Sequence, residues 1–327
     1  MSGWRPAAFP AGKRLLFVAA NPSIDRLYEV DRLATGEIHR PTAQVAVPGG
    51  KGLNSARAAA TLGGSVAVVG IVGGRAGEWI VEGLAAIGIG ARMARSTAET
   101  RTCVSILDRS TAALTEVYER GSEIDAGAWD ALEELVRDEL ARGDVALIAI
   151  SGSLLPGAPS DGYASIARLA AAAERPVPVH VDASGPALAA VLLERPSVLK
   201  LNAAEAGEAS GRAVSDVVSA GSAARALRDR GAAAVVVTLG SEGAVLDGPG
   251  GTVHLVPPAI RGPYSVGSGD AFFGGLAVAI GRGESILDAA CLGLAAGIAN
   301  ALTPGTGELE PAAIERIRDQ IRSMPLG

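Results

Sequence analysis

Leu15-Leu16-Phe17-Val18-Ala19-Ala20, followed at once by Asn21-Pro22-Ser23-Ile24-Asp25, is an unbroken apolar run that stops at a cluster of turn formers and a carboxylate. The same grammar recurs down the chain. Val66–Ile71, Val145–Ile150, Val177–Val181, Val198–Leu201 and Ala234–Thr238 are short runs of Val, Leu, Ile and Ala, interrupted only by Gly70, Pro178, His180 and Lys200. Strands that are apolar on both faces belong to a parallel sheet covered on both sides. Between them, Ala128–Arg142, Asp161–Ala173, Ser215–Arg230 and Pro311–Ser323 carry charges at helical spacing beside apolar stripes. Strand and helix in alternation predict an α/β fold, a doubly wound and mostly parallel sheet flanked by helices. No internal repeat or low-complexity linker divides the chain, so residues 1–327 read as one domain.

Two segments break the alternation. Residues 26–48 and 100–121 are richer in Thr, Tyr, Glu and Arg and alternate loosely between polar and apolar. They predict strands of a small extra sheet, half exposed, projecting as a flap over whatever the main sheet binds. The ends of the main strands are where that ligand is expected. Ser151-Gly152-Ser153 follows one strand, Asp182-Ala183-Ser184-Gly185 another, Lys200 and Asn202 close a third, and Thr238-Leu239-Gly240-Ser241 a fourth. Ligands of open α/β sheets bind outside the carboxyl ends of the strands. Ordinary turn and N-cap chemistry uses the same residue types and is the competing explanation for any one cluster.

Composition removes several classes of function. The chain has 327 residues and a net charge of −6, which argues against a nucleic-acid partner. Two cysteines, Cys103 and Cys291, make no disulfide framework, and His39, His180 and His254 have no zinc-ligand spacing. Met1–Pro10 contains charge and prolines but no apolar run, so it does not read as a signal peptide, and Ala289–Gly307 is too short in its apolar part to span a bilayer. The expectation is a cytoplasmic protein with no membrane partner.

Two glycine clusters carry the chemistry. In Val266-Gly267-Ser268-Gly269-Asp270-Ala271, three small residues open an apolar helix. Backbone N–H groups at such a start form an anion site suited to a phosphoryl group. Asp270 would repel a phosphate that merely binds there; the conflict disappears if it accepts a proton from an attacking hydroxyl. A helix-capping role is the plain alternative. The second cluster is Pro48-Gly49-Gly50-Lys51-Gly52-Leu53-Asn54, ahead of an Ala-rich helix. It is no Walker loop, and no G-x-G-x-x-G fingerprint occurs, which disfavours a nicotinamide-dependent dehydrogenase. Of 29 basic residues only Lys13, Lys51 and Lys200 are lysines, and two of these fall in the candidate clusters.

Taken together, these motifs resemble the PfkB (ribokinase-like) carbohydrate kinase family, from about Leu15 to Pro311. The Gly49–Asn54 cluster is similar to its N-terminal signature and Val266–Ala271 to its C-terminal one. Asn21–Asp25, Glu99-Thr100-Arg101 and Ser151-Gly152-Ser153-Leu154 look most like the phosphosugar branch, comprising tagatose-6-phosphate kinases, 1-phosphofructokinases and the minor 6-phosphofructokinases.

The resemblance implies a ribokinase-like fold with a small β-sheet lid, and ATP with Mg2+ as cofactors. Its reaction would be phosphorylation of a ketohexose phosphate, tagatose 6-phosphate or fructose 1-phosphate, to the bisphosphate. By similarity Asp270 is the base, and the backbone of Gly267, Ser268 and Gly269 is the anion hole. Asp25, Gly49, Gly50 and Asn54 would hold sugar hydroxyls, with Lys51 and Arg101 near the phosphate already present. Lys200, Asn202, Glu205, Thr238, Gly240, Gly243 and Asn300 would serve the nucleotide, Glu205 also reaching Mg2+ through water.

The pattern departs from the family at Leu201 and Leu155, where proline is common, and at Tyr264-Ser265, where Asn or Asp is frequent. The lid's strand edges would permit a homodimer. Two alternatives stay open: a kinase for an unphosphorylated sugar or nucleoside, and a sugar-phosphate sensor without turnover.

Overall fold

In the computed structural model, which describes residues 9–326, the apolar runs form one broad sheet. The N-terminal stretch read as lacking a signal peptide lies almost wholly outside these residues. Strands β1 (Arg14–Ala19), β4 (Val66–Gly73), β5 (Gly90–Ser96), β8 (Val145–Ser151), β9 (Val179–Asp182), β10 (Val198–Asn202) and β11 (Val235–Thr238) run parallel. Strands β12 (Ala244–Gly248), β13 (Gly251–Val256) and β14 (Arg322–Leu326) extend the sheet antiparallel. The ten strands lie in the order β14-β13-β12-β11-β10-β9-β8-β1-β4-β5.

Alternation along β1 explains the double winding. Leu16 and Val18 face one core and Leu15, Phe17 and Ala19 the other, because successive strand side chains point to opposite faces. The first core is roofed by α3 (Ala126–Ala141), α4 (Gly162–Ala172), α5 (Gly185–Leu192), α6 (Ala203–Ser210) and α7 (Val217–Asp229). The second face packs against α1 (Lys51–Thr61), α2 (Gly74–Ala86), α8 (Ser268–Gly281), α9 (Ile286–Asn300) and α10 (Pro311–Arg318). Phe17 and Phe273 are fully buried here, worth about 2–3 kcal/mol each.

The two irregular segments form a separate four-stranded sheet. Its strands are β2 (Ser23–Val30), β3 (Ala43–Gly49), β6 (Thr102–Asp108) and β7 (Ala113–Tyr118), in the order β3-β2-β6-β7. The polar cluster after β1 is therefore also the entry to the lid, and Asp25 sits within a lid strand. Three further differences from the sequence reading have physical causes. The helix expected over Pro311–Ser323 ends at Arg318, and the following residues pair with β13 as an edge strand. The edge strand β5 carries Arg92 and Arg95 at exposed edge positions, so its apolar pattern is diluted. The antiparallel β12 and β13 are interrupted by Gly248, Gly250 and Gly251 and lack a long apolar run.

Among the described residues, no helix is long and apolar enough to cross a membrane.

Candidate active site

Close helix packing builds the centre of the site. A Cβ on Gly274 would lie 2.4 Å from the carbonyl oxygen of Ser55, so α8 approaches α1 at a distance only glycine permits. Ala56, Ala58 and Ala59 keep the α1 side equally thin. That approach brings Asn54 on α1 to Asp270 in the first turn of α8. The amide Nδ2 of Asn54 donates to Asp270 Oδ2 at 3.0 Å and to Asp25 Oδ2 at 3.1 Å, tying two carboxylates from opposite ends of the chain.

Asp25 is held from several sides. Ser23 Oγ donates to its Oδ1 at 2.6 Å, and the Gly50 amide donates to Oδ2 at 3.2 Å. A Cβ on Gly49 would fall 2.1 Å from the Asp25 carboxyl carbon, which explains the bare backbone there. Gly50 has φ 85°, a conformation that strains any residue with a Cβ.

Gly267 caps α8 in the left-handed region at φ 79°, as the tight-turn reading requires. Of the three amides expected to form the anion hole, that of Ser268 closes a turn onto Ser265 O at 3.2 Å. Asp270 is buried, and burial pushes its carboxyl up to about 7; the carboxylate of Asp182 adds to the rise, while Lys51, Lys200 and the Asn54 hydrogen bond oppose it. A group near that value changes charge around neutral pH, where a general base works best.

Beside the anion loop lies a charge network. Lys200 Nζ donates to Asp182 Oδ2 at 2.7 Å, with both side chains buried. The same ammonium stands 2.9 Å from where a Cβ on Gly269 would be, so Lys200 is poised over the loop. Lys51, expected beside the acceptor's phosphate, has its ammonium between Asp182 at 3.4 Å and Glu205 at 3.0 Å. These carboxylates hold the Lys51 ammonium strongly protonated, Asp182 most, with burial opposing. The Asn202-x-x-Glu205 pair forms a reciprocal cap on α6: Glu205 N donates to Asn202 Oδ1 and Asn202 N to Glu205 Oε2, each at 2.9 Å.

No group of three or more His, Cys, Asp or Glu able to hold a metal occurs among the described residues. Asp182 and Glu205 are the two carboxylates that pair with Lys51, and Asp182 also pairs with Lys200 beside the anion loop. A hard divalent ion that keeps waters and takes most of its oxygens from phosphates needs no more than this, so the donor set fits such an ion.

Thr238, Gly240 and Gly243 line a cleft of about 360 Å³ together with Phe272, Ile298 and the anion loop. Asn300 does not line it. It has no exposed surface; its amide donates to Val266 O at 2.7 Å and its oxygen accepts from Gly307 N at 2.9 Å. The expectation of a nucleotide contact is corrected accordingly: Asn300 ties the anion loop to the 303–308 loop from within.

A second, small cavity of about 30 Å³ lies under the lid, lined by Asp25, Val47, Tyr118, Tyr264 and Thr306 among others. Arg101 faces a neighbouring small cavity of about 20 Å³ at the lid hinge, where its guanidinium donates to Asn21 O at 3.1 Å and Glu119 O at 3.2 Å. Its Nε and the Oδ1 of Asn21 are buried atoms with no protein partner.

Three site residues escaped the sequence reading. Asp182 was visible only as one of several strand-end carboxylates. Arg57 was visible as a charge inside an Ala-rich helix. Thr306 gave no signal, since it meets Asn54 only through the tertiary fold, with its hydroxyl donating to Asn54 Oδ1 at 3.0 Å.

Comparison with known proteins agrees with this geometry. Residues 18–313 match the family described as pfkB family carbohydrate kinase. A 1-phosphofructokinase of Rhodobacter capsulatus is 33% identical over 282 residues, covering 86% of this chain and 88% of that protein. Phosphofructokinase-2 from Escherichia coli, solved in complex with potassium, superposes with a TM-score of 0.85 at 27% identity, covering 94% of this chain and 98% of that one. Arabidopsis thaliana ribokinase, complexed with ribose and ATP, shares the fold at a TM-score of 0.72 and 21% identity, with 94% of this chain and 98% of that one covered. The glycine-flanked Asp270 at the start of α8, the lid sheet and the extent of these matches lead to one conclusion: the chain belongs to the pfkB family of carbohydrate kinases.

Proposed function

We propose that the protein transfers the γ-phosphoryl group of MgATP to a free primary hydroxyl of fructose 1-phosphate, giving the bisphosphate and ADP. The observation that carries the reading is the Asn54 amide, which joins Asp25 on the acceptor side to Asp270 beside the anion loop. The similarity to a 1-phosphofructokinase over most of the chain supports fructose 1-phosphate within the ketohexose phosphates. Kinases of this family use ATP and a divalent metal, and Mg2+ suits a site with two flanking carboxylates.

The chemistry assigned to the chain's own residues is modest. Asp25, fixed by Ser23, Gly50 and Asn54, orients the sugar hydroxyls. Asp270 takes the proton of the attacking hydroxyl as its oxygen bonds to phosphorus and the bond to the ADP oxygen breaks. Amides at the start of α8 and the Lys200 ammonium face the charge that develops on the transferred group. The metal ion, when bound, neutralises phosphate charge. Arg101, whose buried Nε has no protein partner beside the hinge cavity, supports a role for that guanidinium toward the phosphate the acceptor already carries. The lid sheet shields the cavity under it from water, which would otherwise compete as acceptor.

The lid also supports a homodimer. Its edge strand β7 exposes Val117 and Tyr118, and the β2–β3 connection exposes Ile38; light scattering on the protein with and without lid charges at these sites tests it. With ATP and a sugar phosphate as substrates, the protein works in the cytoplasm. Residues 1–327 act as one catalytic unit in this reading.

The deciding experiment is ADP release measured against fructose 1-phosphate, tagatose 6-phosphate, fructose 6-phosphate, unphosphorylated ketohexoses and nucleosides, with Asp270→Asn as control. Turnover greatest on fructose 1-phosphate and lost in the variant is the expected result. Preference for a free sugar or nucleoside would overturn the phosphate subsite. Tight binding without turnover would make the protein a sensor.

A further inference from the structure

The side-chain amide of Asn54 has two orientations, and only one of them serves the site. With Nδ2 toward the carboxylates it donates to both Asp25 and Asp270; rotated by half a turn, its carbonyl oxygen would face two carboxylates and repel them. Within 3.0 Å of Asn54 Oδ1 stands the hydroxyl of Thr306. That hydroxyl has one proton and two neighbouring acceptors, Asn54 Oδ1 and, at 3.3 Å, Asp25 Oδ2. Given to Asp25, it would leave the Thr306 and Asn54 oxygens facing each other without a proton between them. Given to Asn54, it satisfies the oxygen and fixes the amide the right way round.

Thr306 lies in a loop with little regular structure, and the loop is pinned from two sides. Arg57, buried on α1, donates from Nη1 to Thr306 O at 2.6 Å and to Pro48 O at 3.4 Å. Its other nitrogen pairs with Glu308. On the far side Gly307 N donates to Asn300 Oδ1, and Gly307 itself is pressed so near Asn54 O that a Cβ would be 2.9 Å away. A buried guanidinium that spends its donors on two backbone carbonyls and one half-exposed carboxylate costs desolvation and makes no contact with the site's own carboxylates. Its effect is to join Pro48, which leads into Gly49-Gly50, to the loop bearing Thr306.

We propose that Thr306 is a positioning residue for phosphoryl transfer, setting the orientation of the Asn54 amide between Asp25 and Asp270, and that Arg57 holds Thr306 in place. This inference rests on the reading of Asp270 as base. Its consequence is specific: without the Thr306 proton, the Asn54 amide no longer favours the orientation that donates to Asp270, and the carboxylate loses a hydrogen bond that helps it stay ionised.

The test uses the full-length protein with Thr306→Val, which keeps the side-chain shape and removes the hydroxyl, and Thr306→Ser, which restores it. In Thr306→Val we expect kcat to fall about three- to tenfold, the worth of one hydrogen bond. The acid limb of the pH profile moves to higher pH while the KM for ATP is unchanged. Thr306→Ser recovers both. Arg57→Lys, which keeps the charge but not the two-carbonyl reach, moves the acid limb the same way, and combining it with Thr306→Val adds no further displacement. A Thr306→Val enzyme with the wild-type acid limb, or failure of serine to restore it, overturns the proposal. Asp270→Asn is measured alongside. If it retains turnover, the base assignment falls and this inference with it; if it is inactive while Thr306→Val behaves as wild type, only the positioning role falls.

Discussion

Asp270 is predicted to cost the protein stability, and removing its charge should make the protein firmer as it makes it inactive. Burial holds the carboxyl near about 7 in the folded chain, against 3.8 for an ordinary aspartate. Between those two values the folded state keeps a proton that the unfolded state has released, so stability falls as pH rises through that interval. Below 3.8 both states are protonated and the penalty is absent; above about 7 both are ionised and it is complete. The displacement corresponds to about 4 kcal/mol at most, at about 1.4 kcal/mol per decade of proton affinity.

Asparagine at this position cannot ionise and can still offer an oxygen to Asn54 Nδ2, so most of the penalty should disappear. Retaining about 2–4 kcal/mol of that gain in a chain of this length raises Tm by about 3–6 °C. The assay is thermal and urea unfolding of wild type and Asp270→Asn without ligands, from pH 4 to pH 9. The variant should match wild type near pH 4, draw ahead progressively toward neutrality, and hold a constant lead above about pH 7. A lead that does not vary with pH, or a wild type that is the more stable at pH 8, would refute the argument that a buried charge is the cause. Turnover should meanwhile drop by about two to four orders of magnitude, as for loss of a general base.

The remaining predictions concern the groups around that carboxylate. kcat/KM for the acceptor should fall as pH drops through about 7, since a protonated Asp270 cannot take the hydroxyl proton; in Lys51→Met, which removes a cation that favours ionised Asp270, the same limb should move to higher pH. Lys200→Met leaves the fully buried Asp182 without its 2.7 Å partner and should cost about 3–5 kcal/mol in urea unfolding, partly recovered by adding Asp182→Asn. Gly49→Ala places a methyl 2.1–2.5 Å from the Asp25 carboxylate atoms. It should lower kcat/KM for the sugar phosphate about a hundredfold through misplacement while leaving the KM for ATP near wild type.

Much of this architecture is legible in the linear sequence because its signals are local. The parallel strands announce themselves as uninterrupted apolar runs. Gly267–Asp270 does so because an anion loop and its base occupy consecutive positions. Lys200 lies within its strand and Glu205 three residues past its end, so both travel with it. What stays hidden depends on distance through the fold. Asn54 stands out as part of its glycine cluster, but its bond to Asp270 is invisible until α8 brings that carboxylate beside it.

Thr306 lies near the end of a chain whose business is conducted near residues 25 and 54, and nothing in its neighbours marks it; the position of Asn300 beneath the anion loop is equally a matter of the fold. Lys51 is expected near the acceptor's phosphate, and the contacts its ammonium makes with Asp182 and Glu205, both over a hundred positions away, have no local signal. The edge strands β5 and β14 were missed for a simpler reason: their exposed arginines, and Pro325 in β14, erase the apolar pattern that identifies interior strands.

The scarcity of lysine has a practical side. Of 29 basic residues, 26 are arginines, which leaves Lys13 on the outer surface and Lys51 and Lys200 within reach of the anion loop. Selective isotope labelling of lysine would thus yield a spectrum of three side chains, two of them standing inside the catalytic centre. Because each of those two is paired with Asp182, their resonances would register any ligand that disturbs this carboxylate, with Lys13 as an internal reference. The chain comes supplied with its own reporters, and no foreign label need be introduced to watch the site fill.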